Sequence, residues 1–311
     1  MKVCFVGNFR SPGSTENDLA DAFDRLGVGV VQVQESDWIA GIVALPDPDG
    51  YDLLMWVRTS PTTPPGCVIQ VEGWKSAKVP VVAIHLDRWF GLTRAREVYE
   101  NPYFRLLDWL FVADPYIEHW QRAGVRAVWS PPAFSERWWE DTEPRRTRWG
   151  RPDIVFVGNW HRDSYHLESV HRFEMLDRLS ARYGRRFLTL PPRGQPRIIG
   201  AELYHLYTST PVVIGDSCLV GDSAYHSDRV PETLGRGGFL MHPWIDWAGT
   251  YTPGEHLSCW RLGDWDGMIA AVDAALESPE LRGVVAAQGQ AHVLANHTYT
   301  IRVRRLLEAV L

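Results

Sequence analysis

Ser227, Arg229 and Glu232 stand close together in the stretch Ser227-Asp228-Arg229-Val230-Pro231-Glu232. A guanidinium suits a phosphate, because it offers a planar, permanently charged fork of donors. A carboxylate one turn further along a helix is placed to accept hydrogen bonds from a ribose diol. The apolar run Pro211–Ile214 reads as a buried strand, and Gly215 to Ser227 as a polar loop. A short helix then carries Arg229, Glu232 and Thr233, the Gly235–Gly238 segment stops it, and Phe239–Met241 forms a second apolar strand. A strand that delivers such a loop into a helix N-terminus commonly binds an anion, since unpaired N–H groups and the helix dipole face the ligand. The chemistry suggested is nucleotide binding. The plainer alternative is an ordinary i,i+3 surface pair, worth about 0.2–0.5 kcal/mol.

These residues need elements to hold them, and the chain supplies alternating strands and helices. Lys2–Val6 reads as a first strand ending at Gly7-Asn8. A helix follows, with Ser14 or Thr15 as its cap and Glu16 and Asp18 favourably placed against its dipole. Val28–Val33, Asp52–Arg58, Pro80–Asp87, Trp109–Ala113 and Arg126–Trp129 read as further strands. The stretch 130–152 is rich in proline and charge and serves as a linker. A second unit opens at Asp153, where Val155-Phe156-Val157-Gly158-Asn159 echoes Val3-Cys4-Phe5-Val6-Gly7-Asn8. The expected domains are therefore 1–129 and 153–295, with a terminal helix over 296–311 that crosses back to the first. Parallel α/β sheets gather ligands at the carboxyl ends of their strands.

The totals narrow the class. A chain of 311 residues, 45% hydrophobic, is long enough for about two domains. A net charge of −6 advertises neither nucleic acid nor an anionic membrane, although patches can still do so. No apolar run is long enough to span a bilayer, MKVCFVGNF reads as a strand, and the four cysteines lie far apart. A cytoplasmic location is expected. Fifteen tryptophans fit a core, and flat rings also stack on bases and sugars.

Several motifs are absent or explained otherwise. Neither G-x-G-x-x-G after the first strand nor G-K-[ST] occurs. Asp47-Pro48-Asp49 reads as a turn and Asp264-Trp265-Asp266 as a helix cap. His161, His166 and His171 recur every five residues, which turns them to different helix faces, so no metal site is expected.

With Gly237/Gly238-Phe239-Leu240 following it, the Ser227–Glu232 stretch resembles the GT-B glycosyltransferases. The likeness is greatest to the spore-maturation (CgeB-like) group and its phage relatives. Pro253-Gly254-Glu255 and the HTYTIRVRRLL segment from His297 add to it. The resemblance implies an α/β fold of two Rossmann-like domains facing across a cleft, and transfer of a sugar from a nucleotide sugar to a hydroxyl. UDP sugars are favoured and GDP sugars admissible, with no obligatory cofactor and no metal. Glu232 would bind the ribose, Ser227 and Arg229 would line the diphosphate with Thr233 beside them, and Gly158, Asn159 and Arg162 would form the opposing loop. The earlier glutamate of the retaining families would fall at Ala224, which leaves the stereochemical outcome open. Chemistry asks further for a base on the acceptor hydroxyl. Asp87 is the first choice, with His85 second and Glu16 also a candidate. Asn8, Arg10 and Ser14 join Glu16 on the acceptor side. Phage relatives suggest hydroxymethylated pyrimidine in DNA as an acceptor, and two basic runs could track its backbone: Arg182, Arg185, Arg186, Arg193 and Arg197, and Arg145, Arg146, Arg148 and Arg151. A small molecule, glycan or protein is the other acceptor class. A non-catalytic two-lobed protein closing on a small ligand is the competing reading.

Overall fold

The computed structural model describes residues 1–60, 62–90, 92–138, 148–160, 170–217 and 224–311. The chain divides into two units, Met1–Pro131 with Tyr299–Leu311, and Pro132–Thr298.

The first unit carries β1 (Lys2–Gly7), α1 (Thr15–Arg25), β2 (Gly29–Gln34), α2 (Glu35–Ile39), β3 (Leu53–Trp56) and α3 (Pro65–Ser76). It continues through β4 (Val81–His85), α4 (Glu97–Glu100), α5 (Tyr103–Leu106), β5 (Trp109–Val112), α6 (Ile117–Arg122) and β6 (Ala127–Trp129). All six strands are parallel, in the order β2-β1-β3-β4-β5-β6. Strands β3 and β4 are buried along their whole length, which is why they read as continuous apolar runs without alternation.

The second unit carries β7 (Ile154–Val157), α7 (Val170–Tyr183), β8 (Phe187–Leu190), α8 (Gly200–Ser209), β9 (Val212–Ile214) and α9 (Arg229–Gly235). Then come β10 (Leu240–Pro243), β11 (Ser258–Trp260), α10 (Trp265–Glu277) and α11 (Pro279–Asn296). Its five strands are also parallel, in the order β8-β7-β9-β10-β11. The last helix, α12 (Tyr299–Val310), belongs to the first unit and packs against α1.

The two sheets share one winding. In each, the first strand is flanked by the second on one side and the third on the other, so strand order reverses between first and third. The sequence echo falls on those equivalent first strands, β1 and β7. Both units are Rossmann-like, as expected. A reversal of this kind opens a crevice beyond the strand ends, the usual ligand position in such sheets. In the second unit the reversal lies between β7 and β9.

Tryptophan serves mainly as core. Trp38, Trp56, Trp74 and Trp120 are buried, and Trp56 meets Trp38 and Tyr103 edge-on at 4.8 and 4.6 Å. In the second unit Trp247 and Trp260 are buried, while Trp244 is exposed. The runs that form α2 and α3 carry no clear helical signal in sequence. α3 follows a proline-rich turn and starts on Pro65, whose missing N–H costs nothing at a helix start.

Helix α9 is held from beneath by Phe134. A Cβ added at Gly235 would lie 2.4 Å from Phe134 Cγ, and the ring is fully buried. Gly235→Ala is therefore expected to lose about 1–2 kcal/mol, overpacking outweighing the gain in helix propensity. Urea denaturation checks this, and an unchanged midpoint would show that the ring yields freely.

Candidate functional site at the β7–β9 reversal

Strand β7 ends at Val157-Gly158, and β9 runs out into Gly215-Asp216-Ser217. Arg229, the first residue of α9, lies across both ends. Its Nε donates to the Val157 carbonyl at 2.6 Å, and its Nη1 donates to the Asp216 carbonyl and to Asp216 Oδ1 at 2.9 and 3.0 Å. The guanidinium carbon sits 4.5 Å from the Phe156 ring centroid. Nη2 lies against Gly158, where an added Cβ would come within 2.1 Å of it. A side chain there would displace Nη2, and the backbone φ of +155° is one that favours glycine.

Asp216 has a second arginine. Its Oδ2 accepts from Arg172 Nε at 2.7 Å, and Arg172 Nη1 donates to the Asn159 carbonyl at 2.8 Å. Ser227 Oγ donates to the Asp216 carbonyl at 3.1 Å. Burial pulls the Asp216 carboxyl upward, but Arg172 and Arg229 outweigh it and hold the group below the usual carboxylate range. Next to them His242 is fully buried, its Nδ1 2.6 Å from the Pro243 carbonyl and its Nε2 3.2 Å from Ser217 Oγ. That geometry puts the ring proton on Nδ1 and leaves Nε2 to accept from Ser217. Burial pushes the His242 pKa down to about 4, against the opposing pull of the Pro243 carbonyl and Asp216. The ring is therefore neutral at pH 7. Two guanidiniums and one carboxylate leave this group of four side chains with a formal excess of one positive charge (2 − 1), at a glycine on the carboxyl edge of the sheet. An anion is what such a place suits.

Glu232 follows one turn into α9, with its side chain 17% exposed. One carboxylate oxygen, Oε2, is bonded to Nη1 of the fully buried Arg236. Burial raises the Glu232 pKa, with Arg236 opposing. Thr233 departs from its expected donor-side place. It is fully buried, with Cγ2 against Gly238, because the helix turns it inward. Arg162, His161 and His166 lie outside the described residues.

The expected acceptor-side residues of the first unit mostly build their own loop. Ser14 caps α1 and accepts from Asn17 N at 3.3 Å. Glu16 is buried beneath Gly7 and accepts from the Asn8 N–H at 3.2 Å, while Asn8 Oδ1 accepts from Gln34 at 3.3 Å. Such an interior carboxylate, its pKa raised by burial, does not meet an external hydroxyl, which corrects its candidacy as a base. Arg10 reaches the surface and pairs with Asp37 at 2.7 Å. His85 is buried among aromatic rings, with Nε2 3.1 Å from Tyr103 Oη, whose own proton goes to the Trp56 carbonyl. It is built into the core. Asp87, two residues on, is exposed at the carboxyl end of β4.

The basic runs are partly neutralised. Arg182 pairs with Asp273, Arg186 with Asp153, and Arg148 with Glu202. Arg185, Arg193, Arg197 and Arg151 are exposed, and Arg145 and Arg146 lie outside the described residues. Asp47 accepts from Asp49 N in a turn, and Asp264 caps α10, as those spacings suggest. Asp216, Arg172, His242 and Arg236 carry no motif that marks them. Gly215-Asp216 does occupy the place after β9 that Gly158-Asn159 occupies after β7, and this was the available signal.

The sequence profile of a family described as glycosyl transferase-like matches residues 145–308. No curated protein matches the sequence. Solved structures similar to it include Anabaena HepE in complex with UDP and glucose, 12% identical over 100% of both chains with a TM-score of 0.61. Another is sucrose-phosphate synthase from Thermosynechococcus elongatus, 11% identical over 99% of this chain and 98% of that one, with a TM-score of 0.59. A glycosyltransferase from Rickettsia africae is 8% identical over 99% and 97%, with a TM-score of 0.63. At such identities the likeness is one of fold, the two-Rossmann GT-B fold.

His242 makes stability depend on pH. The folded protein binds fewer protons than the unfolded chain between about pH 4 and 6.5, so this contribution is complete above 6.5 and lost as pH falls to 4. The loss amounts to about 3 kcal/mol. His242→Gln should flatten that part of the curve in chemical denaturation. An identical pH dependence in the variant would show that His242 does not titrate there.

Proposed function

We propose that this chain, which belongs to the glycosyl transferase-like family, moves a sugar from a nucleotide sugar, with UDP favoured as the carrier, to a hydroxyl acceptor. The observation that carries the reading is Arg229 Nη2 lying against Gly158 at the β7–β9 reversal, in a group with one positive charge in excess. Breaking the bond between a sugar and a diphosphate develops negative charge on the leaving phosphate, and fixed donors that meet this charge lower the barrier. Arg229, set against Gly158, is that donor here. Glu232, one turn along α9, is held by Arg236 through Oε2 and takes a backbone hydrogen bond from Ser135, and the part of its carboxylate that stays exposed is assigned to the ribose hydroxyls. Ser227 and Asn159 act by shaping the loop, Ser227 through the Asp216 carbonyl. The UDP named in the HepE complex fits this assignment of the carrier.

Since the excess positive charge at the site comes from arginine, the reading is of a metal-independent transferase. For deprotonating the acceptor we retain Asp87, exposed at the end of β4, over the buried His85. The Ser227–Leu240 spacing supports a place near the spore-maturation, CgeB-like group. The run Arg182, Arg185, Arg186, Arg193 and Arg197, exposed throughout, supports a DNA acceptor bearing hydroxymethylpyrimidine.

Titration calorimetry with UDP, GDP and their glucose conjugates tests the nucleotide assignment. One of them should bind, and Glu232→Gln should weaken that binding by about 10- to 100-fold, the loss of a charge-assisted hydrogen bond. Binding of none would remove the reading, and an unchanged constant in a folded Glu232→Gln protein would remove the ribose assignment. Slow release of glucose from the bound conjugate separates a transferase from a protein that only holds it.

A further inference from the structure

We propose that Asp216 is a positioning residue for the diphosphate: one buried carboxylate that, through two guanidiniums, sets the backbone on both sides of Gly158. This rests on the nucleotide-sugar reading and deepens it. Arg229 joins Asp216 to the Val157 carbonyl, and Arg172 joins Asp216 to the Asn159 carbonyl. The two carbonyls belong to the Val157–Gly158 and Asn159–Trp160 peptides, so the backbone entering Gly158 and the peptide one residue beyond it are held from one anchor. A third hold fixes the same glycine, whose N–H donates to the Leu190 carbonyl at 2.9 Å. The anchor is itself immobile: Asp216 is 3% exposed, Arg172 is 4% exposed, and the Asp216 carbonyl takes Ser227 Oγ and Arg229 Nη1.

This bonding assigns each edge of Arg229. Nε and Nη1 are spent on Val157 and Asp216, which leaves Nη2 beside Gly158 as the edge that meets an incoming phosphate oxygen. Asp216 does not touch the phosphate in this scheme. An arginine able to swing would give the same charge but not the same place, and a pre-set donor loses less freedom on binding. With Asp216 neutralised, Arg229 and Arg172 would repel one another and lose their shared acceptor. The glycine loop would then lose its register, though the sheet beneath it would not.

Asp216→Asn tests this, with Arg229→Lys as the companion and UDP and uridine as probes. Asparagine keeps the shape and one acceptor oxygen but removes the charge. UDP affinity should fall about tenfold or more in Asp216→Asn, while uridine affinity stays within about twofold, because uridine has no phosphate to be positioned. Arg229→Lys should show the same split, since a lysine cannot span Val157 and Asp216 with a fixed fork. Amide hydrogen exchange of the ligand-free variant should speed up over residues 157–160 and stay unchanged in β8 and β10. Equal losses for UDP and uridine would make Asp216 a merely structural residue and overturn the proposal. Unchanged UDP affinity, or unchanged exchange at 157–160, would overturn it as well. Failure of the wild type to bind UDP, GDP or their glucose conjugates is a separate result that removes the earlier reading, and this one with it; if GDP binds in place of UDP, GDP and guanosine become the probes.

Discussion

A carboxylate taken out of water is costly unless its charge is met, and Asp216 is met twice, by Arg172 and Arg229. That constraint organises the second unit. It explains why an arginine opens α9, why another projects from the first turn of α7, and why a residue without a side chain follows β7. Each guanidinium reaches past the carboxylate to a backbone carbonyl at the end of β7, so strand ends and helix starts are tied at one point. Removing one partner from a buried pair commonly costs about 3–5 kcal/mol, because the remaining charge is stranded. Such a cluster is poor at adding net stability and good at fixing one arrangement.

The position of the cluster gives it a chemical meaning. The strand order of the sheet reverses between β7 and β9, and helices leave that point on opposite faces, opening a crevice beyond the strand ends. Arg229 bridges those two strand ends. Its neighbour His242 adds no charge at pH 7, since burial keeps the ring neutral. The surplus therefore stays with the guanidiniums. The same winding in the first unit carries a different interior: Glu16 and Glu35 are buried carboxylates that accept loop N–H groups at the ends of β1 and β3. One scaffold thus supports a cationic edge in one unit and buried acids shaping loops in the other.

Much of the scaffold was readable from the residues. Apolar runs ending in glycine mark β1, β7 and β9, the continuous apolar run Pro80–Asp87 marks β4, and the Gly-Asn echo pairs β1 with β7, because both need a small residue where the chain leaves the sheet. α2 and α3 are not legible in the sequence, since tertiary burial of Trp38 and Trp74 outweighs their weak helical pattern. For the site, the residue types at Arg229 and Gly158 were legible, but the contact between them was not, since it joins positions far apart in sequence. Thr233 looked like its neighbours on paper. The turn of α9 sends it into the core, and a 3.6-residue period with uncertain phase could not say so. Asp216 and Arg172 are not legible in the sequence, because a single acid and a single arginine in different segments form no motif.

The most direct test is a crystal structure of the protein soaked with UDP. The account predicts the distal phosphate against Gly158, with one oxygen accepting from Arg229 Nη2 while Asp216 stays bonded to both arginines. Nucleotide density elsewhere in the molecule, with Arg229 and Gly158 unchanged and unliganded, would contradict it.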